Sequence, residues 1–169
     1  MAGVKPIPQG MHTLTPNLVV RGCTQAIDFY KKALGAQEVS RMPAPDGKSI
    51  WHAELRIGDS VFFMNDEMPG MGRSAPSVSD PVPVTMWLYV PDCDEAFRRA
   101  VQAGAKSTME PADMFWGDRC ASVADPYGYL WSFATHQKDL TKEEMRRAGE
   151  EFARKMQQAQ GQQGRPTQA

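Results

Sequence analysis

Apolar positions along the chain follow two kinds of period in alternation. Ala26, Ile27, Tyr30, Ala33 and Leu34 recur at helical spacing and predict a helix over 24–34, with Thr24 as its cap and Gly35 where a left-handed C′ residue belongs. Strand-like runs flank it, at 14–20 before and at 38–42, 49–57 and 60–64 after. Pro43-Ala44-Pro45-Asp46-Gly47 reads as a turn, because Pro presets φ and Gly accepts positive φ, and Gly58-Asp59 reads as a tight hairpin turn. The plan is strand, helix, then three strands.

The plan returns about seventy residues later. Leu18-Val19-Val20 leads through Cys23 and Ala26 into the first helix; Leu88-Tyr89-Val90 leads through Cys93 and Ala96 into another, and Gly58 has its counterpart in Gly128. This period is longer than the roughly 20–50 residues of a solenoid unit, so two modules building one core is the better reading. The second module is expected to hold a strand at 84–90, a helix at 93–103 capped by Asp92 and ended by Gly104, and strands at 106–109, 118–124 and 129–134, with a turn at 125–128. The predicted fold is α+β: modules 13–64 and 84–136 of βαβββ type form a curved mixed sheet, joined by a Pro- and Gly-rich linker at 65–83. Residues 1–12 are an irregular arm.

Thr141-Lys142-Glu143-Glu144 is a capping-box pattern that opens a charged C-terminal helix, expected within 137–158, with Met145, Ala148, Phe152 and Met156 on one face. That stripe reads as a docking face against the modules, a dimer mate or another partner. The Gln-rich residues 159–169 lack apolar groups to bury and are expected to be disordered.

Composition narrows the function classes. A net charge of −1 and a pI near 6.3 give no electrostatic footprint for nucleic acid or an anionic membrane, so a small organic molecule is the natural partner. The start lacks the apolar core of a signal peptide and no run reaches the roughly 18 apolar residues of a membrane span, which makes the cytoplasm the default expectation. Three cysteines without CxxC spacing argue against a disulfide framework or a zinc knuckle. Phosphate-loop, nucleophile-elbow and dinucleotide fingerprints are missing from the sequence.

The doubled plan, the phrase Ala26-Ile27-Asp28-Phe29-Tyr30-Lys31-Lys32-Ala33-Leu34-Gly35-Ala36 and the later Asp125-Pro126-Tyr127-Gly128-Tyr129-Leu130-Trp131 together resemble the vicinal oxygen chelate superfamily. That group includes glyoxalase I, bleomycin and fosfomycin resistance proteins and extradiol dioxygenases. His52-Ala53-Glu54-Leu55-Arg56-Ile57-Gly58-Asp59-Ser60 and Phe115-Trp116-Gly117-Asp118-Arg119 look like its PhnB-like branch. The resemblance covers 13–136. It implies an open cup in which catalytic members hold a divalent metal with His and Glu from the first and last strands of each module, and a homodimer. Here those positions fall on Thr15 and Thr85, on Phe62 or Phe63, and on Ser132. Three hydroxyls and a ring cannot supply the three or more imidazole or carboxylate ligands such an ion needs, so the expectation is no metal and no cofactor.

Other chemistry remains. His52 and Glu54 lie two apart on a predicted strand and share a face, as a candidate general acid/base pair, a partial metal site with His12 or His136, or a cross-sheet hydrogen-bonded pair. Trp51, Trp87, Phe115, Trp116 and Trp131 supply rings that stack on planar ligands, and Met64 and Met114 adapt to irregular shapes. Trp87 and Trp131 equally suit plain core. Arg119 suits a ligand carboxylate or phosphate, or a salt bridge to Asp118 or Asp113. Cys120 beside it is a thin case for a lowered thiol pKa. The expected ligand-binding set is Thr15, Phe63, Met64, Thr85, Trp87, Phe115, Trp116, Arg119 and Ser132, with His52 and Glu54 as the catalytic candidates. A metal-free cup for a small organic molecule is the leading expectation. A lyase, isomerase or dioxygenase with an unusual site is the alternative.

Overall fold

The structure is a computed structural model that describes residues 5–163, with side chains through residue 158. Its elements follow the doubled plan. Module one contains β1 (Asn17–Val20), α1 (Cys23–Leu34), β2 (Gln37–Pro43), β3 (Ile50–Ile57) and β4 (Ser60–Asp66). Module two contains β5 (Thr85–Tyr89), α2 (Cys93–Gln102), β6 (Lys106–Asp113), β7 (Asp118–Ala124) and β8 (Leu130–His136), and α3 (Lys142–Gln163) follows. Each module is a four-stranded mixed sheet, in the orders β1-β4-β3-β2 and β5-β8-β7-β6, with the outer pairs β1/β4 and β5/β8 parallel.

Strand parity decides which side chains meet the core. Leu18 and Val20, Ala53 and Leu55, and Phe62 and Met64 are buried under α1, while His52, Glu54 and Phe63 take the opposite, open face. In module two Trp131, Phe133, Ala121 and Val123 face α2. The helical stripe Ala26, Ile27, Tyr30, Ala33 and Leu34 is buried throughout.

Several boundaries moved, each for a local reason. Thr24 is inside α1 and does not cap it; Gly22 is the N-cap, and the Asp66 carboxylate, arriving from β4, accepts the N–H groups of Gly22 at 2.9 Å and Cys23 at 2.8 Å. In module two Thr135 does the same work, its Oγ1 accepting from Cys93 N–H at 2.8 Å. Asp92 does cap α2, accepting from Glu95 N–H at 2.9 Å. β6 runs through Pro111 to Asp113, past the expected end at 109; it is the outermost strand of its sheet, where a missing N–H costs no ladder bond. The capping box forms at Thr141 and Glu144, but the helix continues to Gln163, so 159–163 are helical where disorder was expected; 164–169 lie outside the described residues.

The modules meet over shared aromatics. Tyr30 packs at 5.5 Å from Trp131, Phe29 at 5.8 Å from Tyr127, and Phe62 at 6.1 Å from Trp131. At their centre Asp125, 2% exposed, accepts four hydrogen bonds: Tyr30 Oη at 2.6 Å and Trp131 Nε1 at 2.9 Å on Oδ2, and the Tyr127 and Tyr129 N–H groups at 2.8 and 2.9 Å on Oδ1. A carboxylate so placed is tolerated because its acceptor sites are filled. No described helix is long and apolar enough to cross a membrane.

Candidate ligand cleft

The two modules differ in the turn before their last strand, and the cleft lies beside the shorter one. In module one β3 and β4 join through Gly58-Asp59, with Ile57 opposite Ser60. In module two the pair Ala124 and Leu130 closes a five-residue loop, Asp125-Pro126-Tyr127-Gly128-Tyr129. This longer loop carries Tyr129 onto the free edge of β1, where its hydroxyl accepts from Val19 N–H at 2.8 Å and donates to Val19 C=O at 2.9 Å. Gly128 allows the approach: at φ 88° it passes so near Ser77 that an added Cβ would lie 2.8 Å from the Ser77 carbonyl oxygen. The tight hairpin of module one has no such arm to lay on β5.

A cleft of about 500 Å³ lies there instead. One wall is four consecutive residues of β5, Thr85 to Leu88; the other is the β3–β4 hairpin from Ile57 to Phe62; His12, Leu14 and Pro16 of the arm border it, and the buried Trp131 and Leu18 lie beneath. Its surface is mainly apolar, with polar groups from His12, Asp59, Ser60 and Thr85. That is the chemistry of a small-molecule site: apolar area for affinity and a few polar groups for orientation.

The sequence-predicted residues are scattered over the molecule, and only some of them reach the cleft. Thr85 and Trp87 line the cleft, and Thr15 sits between Leu14 and Pro16 at its mouth, its hydroxyl donating to His12 C=O at 3.2 Å. Phe63 is on the open face of module one with the two catalytic candidates: His52 Nε2 lies 3.5 Å from Glu54 Oε1, and the His52 and Phe63 rings are 4.8 Å apart. Ser132 is on the open face of module two, buried and sharing a 2.7 Å hydrogen bond with Ser122. Met64 is in the core. Phe115 turns to α3, with its ring 5.3 Å from Phe152. Arg119 joins α2 to β6, donating to Asp94 at 2.8 Å and to Asp113 at 3.0 Å, so both salt bridges occupy its guanidinium.

Trp116 belongs to a network that the sequence did not disclose. Asp118, 3% exposed, accepts from Trp116 Nε1 at 3.1 Å and Tyr89 Oη at 3.3 Å, and its other oxygen meets His136 Nδ1 at 2.7 Å. His136 Nε2 lies 3.1 Å from Asp139. The hydrogen bond to Asp118, seconded by Asp139, raises the His136 pKa above its ordinary value. Alternation in 130–136 and 118–124 was the available signal, but the pairing of Asp118 with His136 required the register. The thiols are passive: burial, then Asp66, pushes Cys23 up to about 12; burial and Asp94 push Cys93 up to about 11; burial and Asp118 raise Cys120, against the lowered value entertained from Arg119.

The metal of the resembling family finds no matching donors at its usual places. Those positions offer the hydroxyls of Thr15, Thr85 and Ser132 and the ring of Phe63, and among the described residues no three His, Cys, Asp or Glu side chains converge.

Three comparisons bear on this architecture. The chain is 44% identical over 138 residues to an uncharacterized protein of Mycobacterium bovis, covering 80% of this chain and 90% of that one. It is 32% identical over 111 residues to the anthracycline biosynthesis protein DnrV of Streptomyces peucetius, covering 66% of this chain and 36% of that one. The crystal structure of TioX from Micromonospora superposes with a TM-score of 0.60 at 27% identity, covering 74% of this chain and 98% of that one. Residues 11–133 match the family model of the Glyoxalase/Bleomycin resistance protein/Dioxygenase superfamily, a span that takes in module one and module two as far as Phe133 in β8, and the chain belongs to this superfamily.

Proposed function

We propose that this chain is a PhnB-like member of the superfamily that binds a small, largely apolar organic molecule between its modules without a metal, acting as a homodimer in the cytoplasm. One observation carries the reading: the β3–β4 turn is three residues shorter than its counterpart between β7 and β8, and beside it lies a cleft of about 500 Å³ over Phe62 and Trp131. Thr85, Trp87 and the arm around Thr15 are its ligand contacts. The PhnB-like assignment rests on the two sequence phrases at 52–60 and 115–119. The homodimer rests on Met42 and Tyr89, side chains exposed on the sheets outside the cleft, which a second copy would cover. DnrV, named for anthracycline biosynthesis, is a relative in keeping with an organic ligand.

A thermal-shift screen of planar aromatic compounds tests the reading, run on the natural chain and on Ser60→Trp, which fills the cleft from an exposed position. A ligand at 100 times its Kd stabilises by about 2.7 kcal/mol, a shift of a few degrees or more in a chain of this size. Stabilisation of the natural chain that Ser60→Trp loses is the expected result; equal stabilisation of both would refute it.

A second reading is favoured by the 3.5 Å separation of His52 and Glu54 on the open face of module one: an acid/base site for lyase, isomerase or dioxygenase chemistry. It expects His52→Ala to abolish turnover, whereas the binding reading expects that variant to leave the cleft ligand in place.

A further inference from the structure

Tyr129 shows how the free edge of an outer strand in this chain takes up a phenol hydroxyl. The strand β1 is the outer strand of its sheet, and Pro16 C=O bonds Phe63 N–H while Val20 C=O bonds Glu67 N–H. The alternate residues therefore turn their backbone groups to the free edge, and at Val19 both the N–H and the C=O are met by one phenol hydroxyl. The strand β5 is the outer strand of the other sheet and has the same polarity: Val90 N–H bonds Ala134 C=O, so Thr85, Trp87 and Tyr89 direct their backbone groups outward. That consecutive residues of β5 line the cleft means the strand presents its edge to it. Tyr89 is the repeat counterpart of Val19, and Trp87, one outward position earlier, is the edge residue flanked on both sides by lining residues, Met86 and Leu88.

We propose that the cleft ligand is a hydroxylated aromatic whose O–H donates to Trp87 C=O and accepts from Trp87 N–H, as Tyr129 does at Val19, while its ring lies over Phe62 and Trp131. The inference rests on the cleft reading above and adds the ligand class. A hydroxyl suits this edge because it is donor and acceptor in one atom, matching a strand edge that offers one of each. An ether of the same ring can only accept, and would leave the carbonyl without a partner on desolvation. Asp59 and Ser60 at the hairpin tip are placed for further polar substituents.

The test is titration of the full chain with 2-naphthol and with 2-methoxynaphthalene by calorimetry, repeated on ¹⁵N-labelled protein to follow the Trp87 amide, with Ser60→Trp as the cleft-filled control. The expected result is binding of 2-naphthol about tenfold or more tighter than the ether, the effect of one unpaired buried hydrogen-bonding group, with a downfield shift of the Trp87 amide that the ether does not produce. Equal affinities, abolished alike by Ser60→Trp and without that shift, would overturn the ligand class and keep the cleft. Failure of both compounds to bind, or binding that Ser60→Trp leaves unchanged, would overturn the cleft reading with it.

Discussion

Asp125 ties the two modules together through hydrogen bonds at their aromatic seam. Its carboxylate, at the centre of the aromatic seam, serves donors from both modules: Tyr30 from α1, Trp131 from β8 and two amides of its own loop. Removing it strands several buried donors at once. Asp125→Ala is therefore expected to destabilise by about 3 kcal/mol or more in urea denaturation, and Tyr30→Phe, which removes one partner, by about 1–2 kcal/mol. A cost for Asp125→Ala below that of Tyr30→Phe would contradict this account. His136 offers a pH test. Asp118 and Asp139 both favour its imidazolium, so the stability it lends is complete below its ordinary pKa of 6.5 and is lost as pH rises through the higher folded-state value. An NMR titration is expected to place its midpoint above 6.5, and Asp118→Asn to lower it. At this scale the sequence was only partly legible. The two-residue spacing of His52 and Glu54 was enough to put them together, because strand parity is a local property. The positions of Met64 and Arg119 depend on which face of each strand meets a helix, and a one-residue shift reverses that.

Elements were more legible than residues, because their signals are short-ranged. The helical stripe 26–34, the Asp92 cap, the Gly58-Asp59 hairpin and the capping box at Thr141 are each written within a few residues, and each is where the pattern put it. The misplaced cap of α1 shows the limit: Asp66 comes from another strand, more than forty residues away, and no local pattern announces it. Through its glycine the turn expected at 125–128 reads as the counterpart of 58–59, yet the loop spans 125–129, and its three added residues give it a different job. The C-terminal helix meets the modules through Phe115, which lies against Phe152 and Gly149, and its charges pair along the helix itself, as Arg146 does with Glu143 and Glu150. Such exposed pairs contribute little to a tertiary fold. Truncation after residue 140 is expected to remove helical circular dichroism while leaving the melting temperature of the modules within about 2 °C, a shift worth at most about 1 kcal/mol for a chain of this length. A larger drop would show that α3 supports the fold.

At the scale of the whole molecule, the unequal turns before β4 and β8 account for the asymmetry between the two places where the modules meet. One interface between the modules is filled by Tyr127 and Tyr129; the related place is open and lined by β5, the hairpin and the arm. The near-neutral charge is consistent with a ligand held by apolar contact and edge hydrogen bonds more than by ion pairing. The repeat made the two-module architecture readable in advance. The cleft was not readable, since it lies where loop length differs between halves that otherwise correspond.

The most direct test of the central claim is an amide chemical-shift map of the full chain titrated with 2-naphthol. The account predicts perturbations concentrated in 57–62 and 85–88, with the Trp131 indole responding from beneath. Perturbations centred on His52, Glu54 and Phe63, with the cleft unaffected, would contradict it and move the site to the open face of module one.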